Sequence, residues 1–350
     1  MLKVFLVAAS ASTLSFALLH AVGWKENLLA KERQHKVSNK VGLVGLIVGA
    51  LLLGMGMNIA GACPGTLPIQ VGSGFIPNGF ITIVGAIVGG TVFLWLNPTL
   101  KYYQQLYDFT DTSASNSQRT QSYGTTNAEE SLSSGLLQSD KFKHTIYNWV
   151  GCNALLARLS FACIFLSAAV LVDELSPGYG HLPQVDAALL KSLWSPYVCG
   201  SMIGFLQLPL MLTGGKHLGS TPTYITLSQM IGSAIPCAPS RMRLTSLAVD
   251  NIWELAYSVV AGTMTFVFAI TLLPKFKEVD FPYDGSHDIT FGEQFIGGAL
   301  IAFGAKFASG CTSGHGISGM GHLRTKSFIA VAFMFVGGIA VSVARYLSGL

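Results

Sequence analysis

The sequence predicts an all-α polytopic membrane protein with about eight or nine transmembrane helices, short re-entrant helices and an inverted repeat. Hydrophobic residues make up 51% of its 350 residues and charged residues only 11%, whereas soluble domains carry about 25% charge. In addition, one pattern occurs twice: GALLLGMGMNIAGACPG at 49–65 and GGALIAFGAKFASGCTSG at 297–314. Two apolar helices that break at corresponding places of two halves predict a transport site near the membrane midplane.

Eight apolar stretches have about the 20 residues that a membrane crossing needs: 2–23, 41–62, 78–97, 149–172, 196–213, 248–273, 291–310 and 327–347. Shorter broken pieces follow Cys63 and Cys311, and another is predicted at 220–238. The first stretch follows Lys3 and has an alternative interpretation as a signal peptide. Because it is long and has no clear small-residue cleavage motif, we favour a retained helix.

Basic residues give these spans an orientation. Fourteen of the 21 Lys and Arg residues lie in alternate loops, beginning with the loop between spans one and two. The positive-inside rule places those loops in the cytoplasm and both termini outside. The helices before Cys63 and Cys311 then run in opposite directions, as an inverted repeat requires. We expect a multi-pass protein of the plasma, or inner cell, membrane.

Composition divides the chain into three parts. Residues 1–107 form an N-terminal membrane half with the first cysteine loop, and residues 146–350 form a C-terminal half with the second. Between them, residues 108–145 are rich in Ser and Thr and almost free of large apolar side chains. Such a segment buries too little surface to offset chain entropy, so we expect a disordered cytoplasmic linker.

The two cysteine loops contain the main candidate site residues. A lone cysteine in a membrane protein is most simply a small packing residue. Here both follow a repeated helix break, which favours a role in the pathway. Backbone exposed at membrane depth must line a cavity or be buried in protein, and helix N-termini directed at a cavity favour an anion. The candidates in these loops are Cys63, Pro64, Gly65, Thr66, Cys311, Thr312, Ser313 and Gly314.

Two further candidates lie outside the loops. Lys306 stands five residues before Cys311, within an apolar span, and its counterpart in the first copy is Asn58. An intramembrane lysine normally faces a cavity or a partner, so we expect it to attract anions; snorkelling to the cytoplasmic side is the alternative. Cys237 lies in another proline-flanked break, SAIPCAPS, and is either a pathway residue or a packing residue.

His315 follows Cys311 by four residues within a glycine-rich turn. We include it among the site residues, with a hydrogen-bonding role in the turn as the main interpretation. A soft-metal site with Cys63, Cys311 and His322 is a minor alternative, because the spacing matches no common ligand pattern. We therefore expect neither a metal nor a cofactor.

Other function classes find little support in the sequence. It contains no HExxH, Walker or GxSxG signature, so an enzyme is not expected. The net charge of +4 is modest and no basic cluster alternates with aromatic residues, so no nucleic-acid partner is expected.

The motifs GACPGT (61–66) and GCTSGHGISG (310–319) resemble those of the YeeE/YedE sulphur-transport family. The resemblance extends over most of both halves and is weak in the middle of the chain. It implies a permease for thiosulfate or a related ion, which passes along cysteines by S–H···S hydrogen bonds in an hourglass-shaped bundle with re-entrant helices. Cys63 and Cys311 match the loop cysteines, Lys306 stands where many relatives have arginine, and Cys237 is the candidate for a further pathway cysteine.

The expected partners are thus thiosulfate or a similar inorganic sulphur anion, the lipid bilayer and a downstream sulphur-transfer protein. Two alternatives remain open at this point. One is a thiol-dependent membrane sulphur transferase or redox protein, which needs a thiolate activated by a base or a cation such as His315 or Lys306. The other is a carrier of a selenium compound or a soft metal.

Overall fold

The computed structural model describes residues 2–22, 43–72, 78–96, 146, 153–175, 196–214, 219–234 and 290–348, with separate positions between 256 and 267. Its long helices are α1 (Leu2–Ala21), α2 (Leu43–Ala60), α4 (Asn78–Leu96), α5 (Ala154–Leu175), α9 (Phe291–Phe307) and α10 (Thr325–Ser348). Its short helices are α3 (Leu67–Gly72), α6 (Pro196–Phe205), α7 (Gln207–Gly214) and α8 (Thr221–Ala234), and a π-helical segment covers Ser313–Gly319. No β-sheet occurs in these ranges, and the all-α class is confirmed.

The helices follow the predicted spans with one difference. Helices α1, α2, α4, α5 and α10 are long and apolar enough to cross a membrane, and α9, with 17 residues, covers the seventh span. The fifth predicted span instead divides into α6 and α7 at Leu206. Pro209 explains the break, because it has no N–H to donate to the carbonyl of Phe205. Most of the sixth predicted span lies outside the described residues.

Helices α2 and α9 pack against each other in antiparallel orientation. A side chain at Gly49 would overlap the backbone of Ala308, whereas one at Gly297 would overlap the backbone of Ala60. The start of each helix therefore faces the end of the other, and only small residues permit so close an approach. A second pair lies beside the first: Gly56 against Ile301, and Gly304 against Leu53.

These contacts follow the symmetry of the repeat. In the alignment that places Gly49 on Gly297, exchanging the two copies turns the Gly49–Ala308 contact into the Gly297–Ala60 contact. This reciprocal pairing is what a two-fold axis produces. The relation continues into the next helices, where Gly89 of α4 packs on the carbonyl of Ala299 and Gly337 of α10 packs on that of Leu51. The inverted repeat therefore relates α2 and α4 to α9 and α10.

The start of α9 is fixed by a capping box and an ion pair. The Thr290 hydroxyl accepts the Glu293 N–H at 3.3 Å, and the Glu293 carboxylate accepts the Thr290 N–H at 2.8 Å. Arg345, near the end of α10, binds the same carboxylate at 2.8 Å. The cap satisfies two N–H groups that a helix start otherwise leaves unpaired.

Helix α1 lies inside the bundle and connects the predicted halves. In the most apolar 18-residue window of α1, 61% is buried inside the protein, against 28% in the corresponding window of α10. Ser10 donates to the carbonyl of Ala162 in α5 at 2.9 Å, and Gly204 of α6 packs on the backbone of Ala8. Since α1 belongs to residues 1–107 and these partners to residues 146–350, the halves interlock. The predicted linker at 108–145 lies outside the described residues.

Candidate functional site

The first cysteine loop begins where α2 ends. Gly61 adopts a φ of 63°, a left-handed conformation that glycine reaches without steric cost. The hydroxyl of Thr66 then accepts the Cys63 N–H at 2.9 Å and lies 3.0 Å from the Cys63 carbonyl oxygen and 3.5 Å from its sulphur. The loop thus satisfies much of its own backbone, as membrane depth demands. The half-buried Cys63 thiol lies beside a hydroxyl.

The second cysteine loop begins in the same way and continues differently. Ser309, the counterpart of Gly61, has a φ of 59°. Cys311 is only 1% exposed, and its sulphur lies 3.1 Å from the hydroxyl of Ser313. The π-helical segment follows directly, where the first loop has a proline, a glycine and the short α-helix α3.

His315 holds the second loop against the surrounding helices. Its Nε2 lies 3.1 Å from the carbonyl oxygen of Ala308, and its Nδ1 lies 3.3 Å from the hydroxyl of Ser327 in α10. A side chain at Gly310 would lie 2.6 Å from the imidazole. Both ring nitrogens therefore contact protein groups, which is the hydrogen-bonding role in the turn.

Helix α8 brings the two loops together. The Ser220 N–H, just before the helix, donates to the sulphur of Cys311 at 3.4 Å, and the Ser220 hydroxyl lies 3.6 Å from the same sulphur. One turn later, the Tyr224 hydroxyl donates to the carbonyl oxygen of Pro64 at 2.6 Å. The N-terminal end of α8 therefore contacts both cysteine loops.

Three glycines near the thiols would accept a Cβ atom at ordinary contact distance, in contrast to the glycines between α2 and α9. A Cβ atom on Gly65 would lie 3.5 Å from the Ser220 hydroxyl and 3.9 Å from the Cys63 sulphur. A Cβ atom on Gly314 would lie 3.7 Å from the Cys311 sulphur, and one on Gly219 would meet nothing closer than 3.9 Å. These are ordinary contact distances, so each glycine leaves a space near the thiols that a methyl group would fill.

The structure therefore brings most predicted loop residues to one place: Cys63, Pro64, Gly65, Thr66, Cys311, Ser313 and Gly314. Thr312 turns away, since its hydroxyl donates to the Met57 sulphur of α2 at 3.6 Å. Lys306 is half-buried on α9, two residues before Ala308, and its counterpart Asn58 donates to the hydroxyl of Ser342 at 2.8 Å. Cys237 lies outside the described residues.

Ser220 and Tyr224 are the site residues that sequence reasoning missed. The sequence predicts a short broken helix at 220–238, and its proline-flanked break points to Cys237 near the end of that segment. The available signal was at its start, because a serine before an apolar helix is a preferred N-cap residue. Sequence alone does not show that this end of the helix meets both cysteine loops.

The four residues considered for a soft-metal site do not form one cluster. His322 stacks on Phe16 of α1, with ring centroids 3.7 Å apart, whereas His315 faces Ala308 and Ser327. Among the described residues, no group of three or more His, Cys, Asp and Glu side chains is placed to hold a metal ion.

Comparisons with known proteins agree with this membrane architecture. A family model described as sulphur transport matches residues 1–340 of the chain. Two curated proteins described as probable transporters, from Xylella fastidiosa strains Temecula1 / ATCC 700964 and 9a5c, are 24% and 21% identical to the chain over 153 residues. Each alignment covers 95% of the relative and 44% of this chain.

Proposed function

Because the chain belongs to the sulphur transport family, we propose that it is a permease for thiosulfate or a similar inorganic sulphur anion. In this proposal the neutral thiols of Cys63 and Cys311 bind the anion in turn. The observation that supports it most is that one helix end contacts two repeat-related cysteine loops, through Ser220 on one side and Tyr224 on the other. This arrangement suits a passage through an integral, multi-pass membrane protein better than it suits scattered packing cysteines.

The cost of dehydration determines what such a passage must supply. Thiosulfate is a dianion, and removing its water in a low-dielectric interior is expensive unless donors replace that water. The Cys63 thiol lies beside the Thr66 hydroxyl, and the Cys311 thiol lies beside the hydroxyls of Ser313 and Ser220. Each thiol thus has a neighbouring oxygen donor, which suits an ion that carries both sulphur and oxygen.

Positive electrostatic potential would assist binding. The N-terminal end of α8 carries the partial positive charge of a 14-residue helix dipole and lies against Cys311. Lys306 precedes Cys311 on α9, and we assign it the role of attracting anions towards the passage. Its effect is long-range, so it should depend on ionic strength more than the thiol contacts do.

The thiols would act as donors and would not become nucleophiles. A thiol is a weak, polarizable hydrogen-bond donor, so it holds a sulphur-bearing anion loosely. Conduction requires this balance, because binding must favour arrival yet permit release. A neighbouring anion also disfavours the charged thiolate, which keeps the cysteines in the donor form during passage.

A membrane sulphur transferase or redox protein is the main alternative. It would need a base that activates Cys311 or Cys63, and His315 is the nearest candidate in sequence. Its two ring nitrogens instead contact Ala308 and Ser327, which favours transport over thiol chemistry. A downstream sulphur-transfer protein that receives the imported sulphur is compatible with the proposal.

Uptake of radiolabelled thiosulfate into proteoliposomes tests the proposal. Cys63→Ser and Cys311→Ser should each lower the initial rate at least about tenfold, because a shorter, harder hydroxyl replaces a polarizable donor. The double variant should retain almost no uptake. Cys163→Ser is the matched control, because Cys163 is exposed on α5, and its uptake should be unchanged.

The same assay separates the alternatives. Unlabelled thiosulfate should compete with the label, whereas stronger competition by a selenium compound or a soft metal ion would assign a different cargo. Normal uptake by a correctly inserted double variant would refute the role of the cysteines. A comparison with and without a pH gradient then identifies whether protons drive the transport.

A further inference from the structure

We infer that Ser220 is a third anion-binding residue, whose hydroxyl binds the anion as it passes from the thiol of one cysteine to that of the other. This inference rests on the proposed function and deepens it. It concerns a third element of the molecule, α8, which lies outside the repeat and carries neither cysteine.

The Ser220 hydroxyl lies close to residues of both cysteine loops. It lies 3.6 Å from the Cys311 sulphur. It also lies 3.5 Å from the position that a Cβ atom on Gly65 would take, and that position is 3.9 Å from the Cys63 sulphur. An ion that moves from one thiol to the other therefore passes next to this hydroxyl.

The hydrogen bonds of Ser220 leave its hydroxyl able to donate to an anion. Its backbone N–H already donates to the Cys311 sulphur at 3.4 Å, which fixes the residue relative to that thiol. The hydroxyl has one proton and rotates freely, so it can donate either to the Cys311 sulphur or to an arriving anion. Ser313, at 3.1 Å from the same sulphur, supplies a second hydroxyl partner for the thiol while Ser220 turns towards the ion.

Three glycines near Ser220 leave space beside its hydroxyl. Gly65, Gly219 and Gly314 lie around it, and an added Cβ atom on any of them would meet no atom closer than 3.5 Å. None of the three has a positive φ, so their backbone geometry does not demand glycine. Their small size instead leaves room beside the serine hydroxyl, where a larger residue would narrow the passage without disturbing the backbone.

The position of Tyr224 supports the same assignment. Its hydroxyl is committed to the carbonyl oxygen of Pro64 at 2.6 Å, and its side chain is 3% exposed. Tyr224 therefore fixes the Cys63 loop on α8 at a set distance from Ser220. One helix holds one loop by a tyrosine and contacts the other by a serine, which keeps the two thiols within reach of a single donor.

The test compares thiosulfate uptake by three serine variants in proteoliposomes. Ser220→Ala should lower the maximal rate about tenfold, the effect of one lost hydrogen bond to a charged group, with a smaller change in KM. Ser220→Cys restores a donor and should keep uptake within about threefold of the wild-type rate. Ser233→Ala is the control on the same helix, because Ser233 is exposed and donates to Met230 of its own turn, and it should transport normally.

A second pair of variants tests the space directly. Gly65→Ala adds one methyl group beside Ser220 at contact distance, so the protein should fold while thiosulfate uptake falls about tenfold or more. The smaller hydrosulfide ion should be affected less. Gly292→Ala is the matched control, since its added Cβ would meet nothing closer than 3.9 Å and it lies at the start of α9, away from both loops.

The outcomes distinguish this inference from the proposed function. If Cys63→Ser and Cys311→Ser lose uptake while Ser220→Ala and Gly65→Ala transport at the wild-type rate, the anion-binding role of Ser220 is wrong and the permease proposal stands. If the wild-type protein takes up no thiosulfate, both are wrong. Loss of uptake in Ser220→Ala with recovery in Ser220→Cys supports both, because a merely structural loss would not follow the presence of a donor.

Discussion

The two cysteine loops share one scaffold and differ in what surrounds the thiol. Each follows a helix of the α2–α9 pair, and each turns at a left-handed residue, Gly61 in the first and Ser309 in the second. Cys63 is half-buried and contacts a hydroxyl of its own loop, whereas Cys311 is 1% exposed and also contacts Ser220, the residue before α8. The repeat therefore determines where the thiols lie, and elements outside the repeat make them different.

This difference has a physical origin in the neighbours of each loop. The first loop closes on itself through Thr66 and continues into a short α-helix. The second continues into a π-helical segment that His315 fixes to Ala308 and Ser327. In the permease that we propose, the anion would therefore meet a different environment at each thiol.

The largest expected effect concerns the shared scaffold. Gly49→Leu and Gly297→Leu occupy equivalent positions, and each would force a side chain into the backbone of the facing helix. Overpacking of this kind costs about 3 kcal/mol or more where backbones touch. Both variants should lose most of the folded protein to similar extents, measured as monodisperse yield and thermal midpoint in detergent.

The lipid-facing neighbours of these glycines provide the control. Val48 and Ile296 are also repeat-related and are 39% and 55% exposed. Val48→Leu and Ile296→Leu should therefore leave yield and thermal midpoint unchanged. A large loss at Gly49 without one at Gly297 would break the equivalence of the two copies.

The next effect concerns the unequal burial of the thiols. In variants that retain a single cysteine, a maleimide should alkylate Cys63 about tenfold faster than Cys311, since reaction requires access to the sulphur. Labelling of the same single-cysteine variants after denaturation in sodium dodecyl sulphate gives the reference for a fully accessible thiol. Equal rates for Cys63 and Cys311 would mean that the second loop opens readily, and added thiosulfate should slow both reactions.

The smallest effect concerns the residue at which each loop turns. Ser309→Gly should raise the free energy of unfolding by about 1 kcal/mol, because a left-handed conformation strains every side chain with a Cβ atom. The reciprocal change, Gly61→Ser, should lower it by about the same amount. Thermal unfolding of both variants in detergent measures the difference, and shifts of the same sign would contradict the matched geometry.

Much of the scaffold could be predicted because hydrophobicity and small residues are local signals. The gapless alignment of Gly49 with Gly297 and the basic residues in alternate loops together predicted that the two helices run antiparallel. The reciprocal contacts of these glycines with Ala308 and Ala60 confirm this orientation. The division of the fifth span at Leu206 was missed, although Pro209 carried the signal. An apolar stretch that is long enough to span the membrane does not by itself reveal that one backbone hydrogen bond of the helix is lost.

The site could be predicted only in part, since its residues come from three distant segments. Cys63 and Cys311 were identified from the repeated helix break, but Ser220 belongs to no repeat and contains no unusual chemistry. Thr312 was named with its neighbours, yet its hydroxyl faces Met57. Which side of a loop a side chain occupies depends on the helices packed around it.

The sequence by itself determined the membrane class, the two-fold arrangement and the position of both cysteines at helix breaks. Each of these follows from the order of apolar, small and helix-breaking residues along the chain. Only the tertiary structure decided that α8 joins the loops, that Cys311 is the more buried thiol, and that His315 serves the turn. These features depend on contacts between residues far apart in sequence, and such contacts exist only once the helices have packed.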